Sequence, residues 1–126
     1  MKTKQVIILR KDLNMRKGKM VAQGAHACAA VILEMEQKIR QWDEAPGEKA
    51  YRDWISNSFT KVCVSVNSLE ELTKIYEEAK AKGIPCSLIQ DAGLTEFGGV
   101  PTYTAAAVGP DYEDKINPIT GLLPLL

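Results

Sequence analysis

Four consecutive apolar residues, Val6-Ile7-Ile8-Leu9, stand near the start of the chain between Lys4-Gln5 and Arg10-Lys11. A run this short, without alternation, predicts a strand whose side chains are buried on both faces. Such a strand needs a layer above it and a layer below it, which points to a sheet sandwiched between helices.

The rest of the chain supplies those layers. After a polar loop, Asp12–Lys19, a long helix is predicted from about Lys19 to about Gln41. Its small residues Ala22, Ala25 and Ala29 form a stripe at i, i+3, i+7 that would sit close to the sheet, with Val21, Cys28, Ile32, Met35 and Ile39 widening the buried face. Ala45-Pro46-Gly47 breaks this helix. A shorter helix is expected over Glu48–Ser58, with Tyr51, Trp54 and Ile55 on one side. Lys61–Val66 reads as a strand. Ser68 followed three residues later by Glu71 is a capping box, and the helix it opens ends at Gly83. Pro85–Gln90 reads as a third strand. A Gly98-Gly99-Val100-Pro101 loop leads to a fourth over Tyr103–Val108, stopped by Gly109-Pro110. A helical turn near Tyr112–Ile116 and an apolar tail, Leu122–Leu126, complete the chain.

The order is β-α-α-β-α-β-β-α. Strands joined through helices should pair in parallel, and the last two, joined by a loop, should be antiparallel. The expected fold is therefore α/β: one domain over residues 1–126, built on a four-stranded mixed sheet with helices on both faces. A length of 126 residues suits one domain, and 45% hydrophobic with 25% charged residues suits a soluble one.

No stretch is long enough for a signal core or a membrane span. Cys28, Cys63 and Cys86 lie in apolar runs, and their spacing suits neither a zinc site nor a disulfide ladder. Buried free thiols in a reducing cytosol are the expectation, hence a cytoplasmic protein without membrane contact. Formal net charge is zero, yet residues 1–19 carry seven basic side chains against Asp12 alone. A local cluster of this kind can steer a polyanion even when the whole chain is neutral. A solvated surface of lysines accounts for it equally well.

Standard catalytic signatures are absent: no G-x-S-x-G, no H-E-x-x-H, no Walker loop. Asp91 follows directly on a predicted strand, and ligands of open α/β sheets gather at such strand ends. An Asp-x-Gly sequence is also an ordinary turn. Lys19 starts the long helix, where an anion is favoured. Gln23 and His26 share its face at i+4 and i+7. The histidine also fits a plain packing role. Thr95, Thr102 and Thr104 flank the glycine-rich loop, and Thr102 and Thr104 should point to one face of the last strand. Together these polar groups could converge at one end of the sheet.

Three segments carry a resemblance: KQVIILRKDLNMRKGKMVAQGAHA (residues 4–27), IPCSLIQDAGLTE (84–96) and TYTAAAVGP (102–110), echoed by INPITGLLPLL. In this order they resemble the second, archaeal/eukaryotic-type peptidyl-tRNA hydrolase family. The resemblance implies hydrolysis of the ester between peptide and tRNA. It places the family's catalytic residues on Lys19, Asp91, Thr95 and Thr104. Arg16, Lys17, Gln23, His26 and Thr102 are the accompanying substrate-binding candidates. It implies a tRNA partner and a homodimer, with no cofactor or metal. The chain departs from the family pattern at Glu96, where glutamine is common, and at Arg16, where glycine is common. Asp91 would position or deprotonate water, and Lys19 would stabilise the oxyanion or a nearby phosphate. A non-catalytic RNA- or protein-binding module of the same fold, or a hydrolase of small esters or amides, are the alternatives.

Overall fold

The computed structural model describes residues 2–94 and 96–126. Its elements are β1 (Thr3–Arg10), a 3-10 turn (Lys11–Leu13), α1 (Lys17–Gln41), α2 (Glu48–Ser56), β2 (Lys61–Val66), α3 (Leu69–Ala81), β3 (Cys86–Asp91), β4 (Thr102–Tyr112) and α4 (Glu113–Thr120). The four strands form one sheet in the order β2-β1-β4-β3. β1 pairs with β2 in parallel and with β4 antiparallel, and β3 pairs with β4 antiparallel. The expected α/β class and mixed sheet are therefore present.

β1 is an inner strand and is buried on both faces. Val6 and Ile8 pack with Val64, Val66, Leu72 and Ile75 on the side covered by α3 and α4. Ile7 and Leu9 pack with Ala27, Val31, Met35 and Tyr51 on the side covered by α1 and α2. Each of these four β1 side chains is at most 5% exposed, and burying each contributes about 1.5–3 kcal/mol. The N-cap half of the capping box forms: the Ser68 hydroxyl accepts the Glu71 amide at 3.1 Å.

Several boundaries and faces differ from the sequence reading. α1 begins at Lys17. Its buried residues are Gln23, Gly24, Ala27, Val31 and Met35, whereas Ala22, Ala25, Ala29 and Val21 are exposed. Met35 is buried and Cys28, Ile32 and Ile39 pack against the core as expected, so the alanine stripe, not the whole face, is out of phase. Close approach comes at Gly24, where an added Cβ would lie 3.4 Å from Ile7. α2 ends at Ser56, and Ile55 faces solvent. β4 does not stop at Gly109-Pro110 but continues to Tyr112. A bulge at Gly109-Pro110, opposite Gln5 of β1, absorbs the change of register, so Lys4 still pairs with Asp111. The last helix extends to Thr120.

The three cysteines are free, but Cys63 is exposed and the other two only partly buried. Cys63 lies on the edge strand β2, over a part of the sheet that α1 leaves open. The outer edge of β2 is itself covered by the tail. Pro124 accepts the Ser65 amide at 2.9 Å, and the Leu126 amide donates to Cys63 at 3.1 Å. Backbone groups that would otherwise form an open edge are thereby paired.

Candidate active site

The C-terminal ends of β1 and β3, the start of β4 and the start of α1 meet at one end of the sheet. Asp91 is the last residue of β3 and pairs with Thr102 of β4. Lys19 and Gln23 are one helical turn apart on α1, so both side chains reach the same point. The Lys19 ammonium donates to Asp91 Oδ1 at 2.9 Å, and the Gln23 amide donates to the same oxygen at 3.2 Å. The Gly93 backbone amide donates to Asp91 Oδ2 at 2.8 Å. Behind them, the Thr104 hydroxyl donates to Gln23 Oε1 at 2.5 Å.

The result is a chain of donors, Thr104 to Gln23 to Asp91, with Lys19 beside it. Thr104 and Gln23 are buried, whereas the Lys19 and Asp91 side chains keep 13% and 16% exposure. A reactant can therefore touch the carboxylate and the ammonium but not the residues that hold them. The Lys19 hydrogen bond, helped by the Gly93 amide, holds the Asp91 carboxyl below its ordinary value against the opposing effect of partial desolvation. Asp91 is thus a firmly ionised group at neutral pH, suited to orienting a water and to collecting its proton only as the proton is released.

The loop after Asp91 closes on itself. Gly93 has φ +82°, and an added Cβ would lie 2.2 Å from the Val100 carbonyl oxygen. The Gly99 amide donates to Gly93 at 2.7 Å and the Val100 amide to Phe97 at 3.0 Å. Phe97 packs on the α1-side core, with the Lys19 ammonium 5.8 Å from its ring centre. Glu96 faces the start of α1, where the Arg16 amide donates to its carboxylate at 3.3 Å.

The structure brings Lys19, Asp91, Gln23 and Thr104 together. Thr104 reaches Asp91 only through Gln23, so it acts as a positioning residue. Gln23, expected as a substrate contact, is an internal relay. Thr102, the register partner of Asp91, donates its hydroxyl to the Val100 carbonyl at 2.8 Å. His26 is exposed and has no side-chain hydrogen bond among the described residues. Arg16 and Lys17 are exposed at the helix start. Thr95 lies outside the described residues. The Gly93 amide was not anticipated as a donor, although an Asp followed two residues later by Gly is the sequence sign of a side chain bonding its own turn. Arg10, part of the basic cluster, is engaged internally with Asp12 at 2.7 Å and with the Tyr103 carbonyl at 3.1 Å.

On the opposite flank of α1 lies an apolar groove of about 660 Å³, walled by Ile7, Leu9, Met20, Gly24, Cys28 and Ile32. Among the described residues, no group of three or more His, Cys, Asp or Glu side chains is arranged to hold a metal. No helix among them is long and apolar enough to cross a membrane.

The chain is 44% identical over 123 residues to a peptidyl-tRNA hydrolase of Methanocaldococcus jannaschii, covering 98% of this chain and 99% of that protein. It is 46% identical over 124 residues to the protein of that name from Methanothermobacter thermautotrophicus, at 98% and 99% coverage. With the one from Sulfolobus acidocaldarius it shares 39% over 123 residues, again at 98% and 99%. The model of the family described as peptidyl-tRNA hydrolase PTH2 matches residues 3–126. Since that match runs from the first residue of β1 through the site to the end of the tail, the chain belongs to the peptidyl-tRNA hydrolase PTH2 family.

Proposed function

We propose that this protein hydrolyses the ester of peptidyl-tRNA, releasing peptide and free tRNA. The observation that carries the reading is the partly exposed Asp91 carboxylate at the end of β3 with the Lys19 ammonium of α1 2.9 Å away. Asp91 orients a water against the ester carbonyl carbon. As the oxygen–carbon bond forms, the proton passes to the carboxylate, and the carbonyl oxygen gains negative charge beside Lys19. The bond from the carbonyl carbon to the ribose oxygen then breaks, and that oxygen takes the proton. Water and ester give acid and alcohol, so the step balances without a co-reactant or a redox partner.

Gln23 and Thr104 contribute by fixing Asp91. The resemblance gives Thr95 a role beside them. A preorganised donor such as Lys19 is worth roughly 2.7–4 kcal/mol at the transition state. Arg16 and Lys17, exposed at the start of α1, supply contacts to the tRNA backbone. Such contacts release counterions, so affinity should fall steeply with salt. Cytoplasmic location and assembly into a homodimer belong to the same reading. The apolar groove along α1 supports the second of these.

The test is hydrolysis of N-acetyl-aminoacyl-tRNA by purified protein and by Asp91→Asn. The variant keeps the shape but cannot accept a proton. Its kcat should fall at least about a hundredfold, the scale of a lost general base. Binding of deacylated tRNA should stay near that of the parent. Full activity in Asp91→Asn would move the chemistry elsewhere.

A further inference from the structure

Glu96 stands out as a charged side chain that the proposed chemistry does not use, placed by a closed loop against the start of α1. Its carboxylate accepts the Arg16 amide at 3.3 Å, and its other oxygen lies 3.7 Å from the Arg16 guanidinium. The Glu96 side chain is 19% exposed and that of Arg16 89% exposed. The more enclosed partner is therefore the anion, and the solvent-exposed partner is the cation.

The loop that carries Glu96 is held at both sides of it. The loop is pinched shut where Gly93 meets Val100 and anchored by Phe97 in the core. It cannot withdraw the carboxylate without losing that packing. Arg16 can swing away, because nothing encloses it.

We propose that Glu96 is a specificity-determining residue: it neutralises Arg16 in the free protein, and a tRNA phosphate must compete with it for that guanidinium. This rests on the tRNA reading above. Glu96 thus weakens the hold on any single phosphate. It favours ligands that bring several phosphates at once, because only these compensate for the lost pair. The proposal concerns binding and leaves the Asp91–Lys19 step untouched.

The experiment is Glu96→Gln, alone and combined with Arg16→Ala. Glutamine can still accept the Arg16 amide but carries no charge. Binding of deacylated tRNA, read as Kd, should tighten about two- to fivefold, the range set by exposed ion pairs. KM for N-acetyl-aminoacyl-tRNA should fall in step, with kcat unchanged. In the Arg16→Ala background, Glu96→Gln should have a clearly smaller effect, because the competition has been removed. A merely structural glutamate would give equal effects in both backgrounds. Unchanged or weaker tRNA binding by Glu96→Gln overturns the proposal. Tighter binding without turnover by the parent protein leaves it standing and overturns the hydrolase reading. No tRNA binding by either protein overturns both.

Discussion

Three donors face the Asp91 carboxylate, Lys19 and Gln23 on one oxygen and the Gly93 amide on the other, and this decides how the site should respond to pH. Its pKa is lowered from 3.8, chiefly by Lys19. The ionised form is therefore favoured in the folded protein. The stability contributed by this pairing is present above the unfolded value and is lost as pH falls through the folded one. Activity should follow the same charge. We expect kcat for peptidyl-tRNA to stay level from about pH 7 to about pH 5, with the Asp91 limb below the ordinary carboxylate range. A limb near neutrality in a pH–rate profile would assign the proton to another group. Gln23 makes the second residue-scale case. Gln23→Leu would leave the buried Thr104 hydroxyl without its acceptor, costing about 1–3 kcal/mol in denaturant unfolding. It would also free Asp91 from one of its supports, so kcat should fall while KM stays near that of the parent. The sequence marked Gln23 as a neighbour of Lys19 but not as an inward one. A polar residue on a helix reads as solvent-facing until the facing hydroxyl, here Thr104, is known.

At the scale of elements, periodicity gave the length of α1 well and its orientation badly. Ala22, Ala25 and Ala29 have the spacing of a buried stripe. So do Gly24, Ala27, Val31 and Met35, and only the second set meets the sheet. Both stripes are small or apolar because both flanks are close to apolar surface: one on the core, the other beside the groove. The β4 boundary failed differently, since Gly109-Pro110 looks like a stop and is in fact a position where pairing continues after a shift. The loop from Gly93 to Val100 has the most direct element-scale test. Gly93→Ala would force a side chain into the left-handed region and against the Val100 backbone. A loss of about 1–3 kcal/mol in unfolding free energy is expected from the backbone alone. The Gly93 amide would also move off Asp91, so hydrolysis should drop more than stability explains. An alanine variant with normal kcat would show that this amide is dispensable.

For the whole molecule, the alternation of strands and helices was enough to give a mixed sheet with two covered faces, because parallel pairs need crossovers and antiparallel pairs do not. It could not give the order β2-β1-β4-β3, which depends on which strands share the apolar faces of β1. Nor could it show that α1 leaves part of one sheet face open. Val21, Ala25 and Ala29 border that groove. With a homodimer seated there, light scattering should give about twice the chain mass. Ala29→Glu should return it to the monomer while leaving the helix intact, since the exchange alters helix propensity by only a few tenths of a kcal/mol. An unchanged mass would place the partner elsewhere. The central position of β1 has a further consequence, in time rather than in space. β1 is synthesised before the other three strands, but its antiparallel neighbour β4 spans residues 102–112 and is the last of them. A growing polypeptide cannot complete the middle of its sheet until residues 102–112 have been translated. Contacts so distant in sequence make folding a late, all-or-none event. A copy cut short before β4 has Lys19, Gln23 and Asp91 but no Thr104 and no sheet to hold them, so an unfinished molecule of this protein is an inactive one.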